Sequence, residues 1–194
     1  MTTSSPPSGR EEVVAAVLDA AADLFAQRGP AATSIRDIAT ASRVNHGLVY
    51  RHFGTKERLV GAVLEHLGGN LIALMSQGAS AAEIERATDR HIRVLARALL
   101  DGYPVGQLQT RFPNIALLLE AVRPGYGDDD RGARLAVANA VALQLGWRLF
   151  EPFLRSSTGL DDVTDAQLRD VVGAQMDRIL SPDGGRPGAR RHNS

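Results

Sequence analysis

Several residue types are scarce in this sequence of 194 residues, and each scarcity excludes a class of protein. The chain has no cysteine, which excludes disulfide frameworks, thiolate metal sites and cysteine nucleophiles. Aromatic residues make up only 5%, and 22 basic side chains balance 22 acidic ones to a formal net charge of zero. Such a balance is unlike a strongly basic coat protein or an acidic disordered tail. The 44% of hydrophobic residues are enough for one or two small domains with buried cores.

Long apolar segments are scarce as well. The run over residues 135–145 is interrupted by Asn139 and Gln144 and falls short of the ~20 residues that a membrane helix needs. Residues 1–9 (MTTSSPPSG) are polar and lack the apolar stretch of a signal peptide. We therefore expect a cytoplasmic protein without membrane contact, which begins with a flexible arm over residues 1–9.

Apolar residues recur at helical spacing along the whole chain, and no stretch alternates as a β-strand does. The sequence therefore predicts an all-α protein. Short helices and tight turns over residues 10–54 indicate a small N-terminal domain. Longer helices rich in alanine and leucine indicate a second, larger helical domain over residues 55–180, and residues 181–194 are expected to form a disordered tail.

Capping residues, glycines and prolines predict where individual helices begin and end. A capping box of Ser8 and Glu11 is expected to open the first helix, which ends at Gly29. Pairs of the same spacing that begin at Ser34 and Ser80 are expected to open two later helices. Short helices and tight turns are expected up to Gly68 and Gly69, and long helices beyond them. The remaining predictions are a helix from Pro113 to before Pro124, one from about Asp130 to about Phe150, where Pro152 disfavours continuation, and a last one over Thr164–Leu180.

The spacing between Ser34 and His52 is that of a helix-turn-helix, with two short helices and a three-residue turn. Ala39 is small enough for the second helix to cross there, and Val44 with Leu48 or Val49 could anchor that helix from below. Spacing alone leaves a second interpretation open, in which the segment is only a short helical hairpin in an all-α bundle.

Residues 10–67 resemble the DNA-binding domain of the TetR family of bacterial transcriptional regulators, above all in the segment TSIRDIATASRVNHGLVYRHFGTKERL from Thr33 to Leu59. The resemblance implies an N-terminal three-helix DNA-binding domain with a helix-turn-helix and a larger C-terminal helical domain for regulation and dimerisation. It also implies a regulator, most simply a repressor, whose homodimer binds a palindromic double-stranded operator and is released by a small-molecule effector.

The resemblance further implies which side chains contact DNA. They are Thr33, Ser34, Arg43, Asn45, His46, Gly47, Leu48, Tyr50, Arg51 and Lys56. Thr33 and Ser34 would present donors to a phosphate at a helix N-terminus. Residues 45–48 would approach base edges, whereas Tyr50, Arg51 and Lys56 would contact the backbone, and Arg51 could also reach a base. The family usually has glycine where Arg43 stands. At a positive φ an arginine costs about 1 kcal/mol relative to glycine, which a phosphate contact could offset.

The charge distribution agrees with a DNA-binding N-terminal region. Residues 28–58 contain six basic and two acidic side chains, whereas residues 59–180 contain twelve basic and fifteen acidic ones. The only lysine, Lys56, lies inside the positive segment. A local excess of positive charge attracts the phosphate backbone even when the whole chain is neutral.

Two further residue sets are assigned in the C-terminal region. A dimer interface is expected at Ala138, Ala142, Leu168, Val172, Met176 and Ile179. The effector is expected to be apolar and to bind at His91, Leu95, Phe112, Leu117, Asn139 and Trp147. Each of these residues could instead belong to its own subunit's core. No enzyme, metal site or cofactor is expected, because the five histidines lack metal-ligand spacing and there is no glycine-rich phosphate loop. The alternative function is a helical small-molecule-binding or adaptor protein without operator binding.

Overall fold

A computed structural model describes residues 9–182, and this part of the chain is α-helical without a strand. The expected all-α class is confirmed. The helices are α1 (Arg10–Arg28), α2 (Ile35–Ser42), α3 (His46–Phe53), α4 (Lys56–Ser76), α5 (Ala81–Leu100), α6 (Val105–Leu108), α7 (Pro113–Tyr126), α8 (Asp130–Thr158) and α9 (Asp165–Leu180). The expected arm over residues 1–9 and the expected tail over residues 181–194 lie almost wholly outside the described residues.

The chain divides into two compact units, which we call unit 1, up to Asn114, and unit 2, from Ile115 onward. This boundary differs from the one expected at residue 54. The physical reason is that α4 and α5 both pack against α1, so that the first three helices do not form a compact body by themselves. A functional division at residue 54 stays a prediction.

Unit 1 has a continuous apolar core to which α1 to α5 each contribute. Phe25, Ile38, Val49, Leu59 and Val94, one from each of these helices, are fully buried. Burying a side chain of this size stabilises the fold by about 1.5–3 kcal/mol. The two short helices α2 and α3 are therefore held on a rigid support rather than on a flexible hairpin.

Helix α4 is longer than the sequence predicts, because it continues through Gly68 and Gly69 to Ser76. By length and apolar composition it is the one helix among residues 9–182 that could cross a membrane. We interpret it as a core helix, since its apolar side chains from Leu59 to Leu67 are buried in unit 1. Gly61 brings α6 very close, because a side chain there would overlap the carbonyl oxygen of Leu108.

The start of α1 also differs from the prediction. The helix begins at Arg10, and the side chain of Glu12 accepts a hydrogen bond from the Gly9 N–H at 3.5 Å. The expected partner of a capping box, Ser8, lies outside the described residues. The capping pairs predicted from Ser34 and Ser80 are confirmed, and their side chains accept from the backbone N–H groups three residues further on.

Two helices of unit 2 continue past the prolines that were expected to end them. Helix α7 includes Pro124 and ends at Tyr126, and α8 includes Pro152 and ends at Thr158. The last turn of α8 is held by Arg155, which pairs with Glu151 at 2.8 Å and with Asp165 at 2.9 Å. A proline removes one hydrogen bond from a helix interior, and these ion pairs stabilise the turn that follows Pro152.

Candidate nucleic-acid interface

Helices α2 and α3 form a helix-turn-helix whose turn is closed by backbone hydrogen bonds. The Val44 N–H donates to the Ala39 carbonyl at 3.0 Å, and Arg43 between the helices adopts a left-handed conformation with φ 55° and ψ 31°. Arg43 is the only residue other than glycine with a positive φ among residues 9–182. The turn therefore has the geometry for which glycine is favoured, and arginine is accommodated in it at a conformational cost.

Helix α3 is anchored on one side and open on the other. Val44 before the helix and Val49 within it are buried, as predicted, and Ala39 is buried where α2 and α3 cross. The opposite side has Gly47, Tyr50 and Arg51 at helical spacing, all exposed, with Tyr50 66% exposed. A helix with one side packed on the core and the opposite side exposed can enter a major groove.

The N-terminal residues of α3 are largely accessible. Asn45 and His46 are exposed, and Leu48 is half-buried. The Asn45 side chain caps the helix by accepting from the Gly47 N–H at 2.8 Å, which leaves its amide nitrogen directed to other partners. A methyl group on Gly47 would lie 3.2 Å from that side-chain oxygen, so glycine fits this close cap well.

The structure corrects the expectation for Thr33. This residue is 1% exposed, its hydroxyl donates to the Gly29 carbonyl at 2.8 Å, and its N–H donates to the Pro30 carbonyl at 3.1 Å. Both donors are therefore used inside the protein, and Thr33 shapes the turn between α1 and α2 instead of meeting a phosphate. Sequence order alone does not reveal this, because the partner lies in the preceding helix cap.

Ser34 is exposed, but its backbone N–H already has an anionic partner. The N–H donates to a carboxylate oxygen of Asp37 at 2.9 Å, and Arg28 pairs with the same carboxylate at 2.8 Å. The hydrogen bond from the Ser34 N–H, then that from its hydroxyl, and the charge of Arg28 lower the pKa of Asp37. The Ser34 hydroxyl also accepts from the Asp37 N–H at 3.1 Å, so both polar groups of Ser34 already have Asp37 as a partner. A phosphate contact by Ser34 stays a prediction.

Lys56 begins α4 beside this turn. Its Nζ donates to the Ala31 carbonyl at 3.4 Å, and the side chain is half-buried. Since α2 also begins just after Ala31, the lysine ammonium lies beside the segment that leads into α2. Ala31 precedes the first residue of α2 by four positions, so the geometry places a cation at the turn that leads into α2.

Two surface grooves adjoin α3 and are lined by residues that were not assigned from the sequence. A groove of about 400 Å³ is lined by Arg10 of α1 together with Arg51 and His52. Another of about 550 Å³ at the α2–α3 turn is lined by Arg36 and Thr40 beside residues 43–46. Arg36 is one of the six basic residues counted over residues 28–58. The packing of α1 and α2 beside α3 is what brings Arg10, Arg36 and Thr40 next to that helix.

The six residues expected around an effector are distributed over both units. His91 and Leu95 are half-buried on α5, and burial lowers the pKa of the His91 imidazole. Phe112 is 39% exposed in unit 1, and Leu117 is 43% exposed in unit 2. On α8, Asn139 is exposed and Trp147 is half-buried. Their convergence on one pocket stays a prediction.

The residues expected at the dimer interface lie on α8 and α9 with different exposures. Ala138 and Ala142 are exposed, and the α9 residues Val172, Met176 and Ile179 are half-buried. Leu168 was expected at the dimer interface, but it is only 8% exposed and contributes to the packing between α8 and α9 within one chain.

A stripe of exposed apolar side chains on α8, which we call the α8 stripe, extends the expected dimer surface. It consists of Leu135, Ala138, Ala142, Leu149 and Phe153. Three of these were not assigned from the sequence. Their spacing of three, four, seven and four residues keeps them on one face of a helix, so the pattern could have been found from periodicity.

Comparison with known proteins agrees with this geometry. Residues 17–63 match the family model described as bacterial regulatory proteins, tetR family. The chain belongs to the TetR family and is a DNA-binding transcriptional regulator rather than an enzyme. Members of this family bind DNA operators, typically as dimers with small-molecule effectors.

Among its relatives is the HTH-type transcriptional repressor Rv3405c of Mycobacterium tuberculosis (strain ATCC 25618 / H37Rv). It is 69% identical over 176 residues, which cover 91% of this chain and 93% of that protein. The HTH-type transcriptional regulator Mb3439c of Mycobacterium bovis has the same identity and coverage.

A solved structure of NalD, the secondary repressor of the MexAB-OprM multidrug efflux pump in Pseudomonas aeruginosa, has a TM-score of 0.52 and 23% identity, and the match covers 90% of this chain and 100% of NalD. At this identity the similarity concerns the fold alone.

Proposed function

We propose that this protein is a cytoplasmic repressor that binds a palindromic operator as a homodimer and is released by a small apolar effector. The observation that carries the DNA-binding part is the exposed face of α3, which presents Tyr50 and Arg51. Lys56 at the start of α4 adds a cation at the turn before α2. Repression is supported by the name of the relative from Mycobacterium tuberculosis, a transcriptional repressor.

The DNA contacts divide into two groups by chemistry. Asn45, His46 and the backbone at Gly47 stand at the start of α3, where side chains reach base edges. Tyr50, Arg51 and Lys56 supply donors to phosphates, which position the protein without reading sequence. Arg43 is assigned to the residues that contact phosphates, because it lies at the turn that precedes α3.

Dimerisation follows from the shortness of α3. A helix of 8 residues reads few base pairs, so that two copies on half-sites about 34–36 Å apart are needed for a specific operator. The α8 stripe supports α8 and α9 as the dimer surface, since Leu149 and Phe153 are large apolar side chains that remain 37% and 68% exposed. A second copy of the same face would cover them.

Release by an effector is the part of the proposal that rests on the family. The effector must bind the arrangement with low DNA affinity better than the DNA-bound one, because a ligand without that difference shifts nothing. An apolar compound is proposed because aromatic residues make up only 5% of the chain, whereas leucine and alanine are abundant. Compounds that raise thermal stability should then also weaken operator binding.

The experiment is fluorescence anisotropy with a palindromic duplex from the protein's own promoter region and a scrambled duplex of equal composition. We expect the palindrome to bind about 10³-fold or more tightly than the scrambled duplex. Tyr50→Ala should lose roughly tenfold in affinity, because a hydrogen bond to a charged group contributes about 1.5–3 kcal/mol. Arg93→Ala, at an exposed position on α5, is the matched control and should bind like the native protein.

Equal affinity for both duplexes, or no loss with Tyr50→Ala, would contradict operator binding and favour the adaptor alternative. A stabilising compound that leaves DNA affinity unchanged would contradict the effector part for that compound.

A further inference from the structure

One face of α5 holds α1 and the turn that follows it by polar contacts. Arg90 donates to the Asp19 carbonyl at 2.8 Å and pairs with the Asp23 carboxylate at 2.7 Å. Arg97 donates to the Ala26 carbonyl at 3.0 Å. These two arginines are seven residues apart and therefore lie on the same side of α5. The contacts fix α1 along the length of α5.

The last contact on this face reaches beyond α1 into the turn before α2. Asp101 ends α5, and its carboxylate accepts a hydrogen bond from the Ala31 N–H at 2.7 Å. Gly29 makes room for it, because a methyl group there would lie 2.7 Å from a carboxylate oxygen of Asp101. The φ of Gly29 is 81°, a conformation that also favours glycine.

Ala31 is also the residue that Lys56 contacts. Its N–H is held by Asp101, while its carbonyl accepts from the Lys56 Nζ at 3.4 Å. Burial, and then the nearby charges of Glu57 and Asp101, raise the pKa of the Tyr103 phenol. The end of α5 and the start of α4 therefore meet around the same short turn.

From these contacts we infer that Asp101 is a positioning residue for DNA binding. It holds Ala31, and through Ala31 it holds the Lys56 ammonium at the turn that leads into α2, without touching DNA itself. The inference rests on the proposed function, since it concerns how that surface is arranged. It assigns to the C-cap residue of α5 a role at a phosphate contact that lies outside α3.

The sign of the effect distinguishes positioning from simple electrostatics. Asp101 is an anion close to a surface that is proposed to meet phosphates, so by charge alone its removal would strengthen DNA binding. If Asp101 positions Lys56, its removal weakens binding instead, because the lysine contact is lost or mispositioned. The two effects have opposite directions in the same measurement.

The test is a double-mutant cycle on the palindromic duplex with native protein, Asp101→Ala, Lys56→Ala and the double variant. We expect Asp101→Ala to lower affinity about fivefold or more and to make the dependence on salt shallower. Lys56→Ala should have little further effect in the Asp101→Ala background, because residues that act as a unit are not additive. Tighter or unchanged binding by Asp101→Ala, or full additivity with Lys56→Ala, would overturn the inference.

Two control variants separate positioning from loss of structure. Asp101→Asn keeps an oxygen that accepts the Ala31 N–H and should bind within about twofold of native, and equal loss in this variant and in Asp101→Ala would contradict the inference. Asp23→Ala removes a carboxylate from the same α1–α5 contact but not from the turn, and should leave DNA affinity unchanged.

If Asp101→Ala is unfolded by circular dichroism, Asp101→Ser replaces it in the cycle. If the native protein binds no duplex, the proposed function is refuted. That result differs from native-like binding by Asp101→Ala, which would refute only the inference on Asp101.

Discussion

The two units of this protein bury their apolar residues to very different extents. Among the described residues, the large side chains that are fully buried, such as Phe25, Leu59 and Leu64, all belong to unit 1. The buried residues of unit 2 are mostly alanines of α8, while Phe150 and Phe153 remain 58% and 68% exposed. Unit 1 thus completes its core within one chain, whereas unit 2 leaves apolar surface for another molecule to cover.

This difference corresponds to two functional requirements. A DNA-reading surface must hold its side chains in one arrangement, and a continuous core provides that rigidity. An exposed apolar face of the size of the α8 stripe is unfavourable on a monomer and is typical of a protein interface. The comparison therefore predicts that substitutions in unit 1 affect folding, while substitutions on the α8 stripe affect assembly.

The largest expected effect concerns the core of unit 1. Phe25→Ala removes a fully buried ring and should lower the free energy of unfolding by about 3–5 kcal/mol. Chemical denaturation followed by circular dichroism measures this directly. A loss below about 1 kcal/mol would mean that unit 1 is not the rigid support described above.

The next effect concerns the dimer. Phe153→Asp introduces a charge into the α8 stripe and should raise the dimer dissociation constant by about tenfold or more, since burying this ring contributes about 1.5–3 kcal/mol. Analytical ultracentrifugation measures the constant. Leu100→Asp is the matched control, because Leu100 is 87% exposed in unit 1. This substitution should leave the dimer dissociation constant unchanged. A reversed pattern would place the dimer surface in unit 1.

A smaller, pH-dependent effect is expected at Glu65, whose carboxylate accepts from the Thr110 N–H at 2.5 Å. Burial raises the pKa of Glu65, but hydrogen bonds from Thr110 and Arg111 outweigh it and hold the pKa below its ordinary value of 4.5. A lowered pKa stabilises the fold above pH 4.5, and this contribution is lost as the pH falls through the pKa of the folded state.

Glu65→Gln should therefore lower stability at pH 7 by about 1 kcal/mol, and the difference from native should shrink below pH 4.5. Thermal unfolding at several pH values measures it. A difference that stays constant down to pH 3 would show that the charge of Glu65 is not involved.

The smallest effect is expected at the turn between α2 and α3. Arg43→Gly relieves a positive φ of 55° and should stabilise unit 1 by up to about 1 kcal/mol. DNA affinity should fall in the same variant if Arg43 also contacts phosphate. Reduced stability would mean that the side-chain contacts of Arg43 outweigh its backbone strain.

Much of the fold could be predicted from sequence because helix starts are encoded locally. Ser34 and Ser80 cap the helices that follow them, as expected. The prolines were a weaker guide. Pro152 does not end α8, because Arg155 holds the next turn through Asp165, a residue ten positions away in α9's first turn. That compensation depends on tertiary packing.

The same limit applies to the candidate site. The exposed face of α3 follows from spacing, since Val49 must point to the core and Tyr50 and Arg51 therefore point away. The burial of Thr33 does not follow, because it depends on a hydrogen bond to the Gly29 carbonyl. The contact of Asp101 with Ala31 joins residues 70 positions apart, and no local pattern predicts such a pair.

The salt dependence of operator binding tests the central claim most directly, because phosphate contacts release counterions. For native protein on the palindromic duplex, the logarithm of affinity should fall steeply with the logarithm of salt concentration, by about 0.9 per phosphate contact. With one Lys56 in each protomer, Lys56→Ala should make the slope of the dimer shallower by about 1.8. A slope near zero, or identical slopes for the two proteins, would contradict the account.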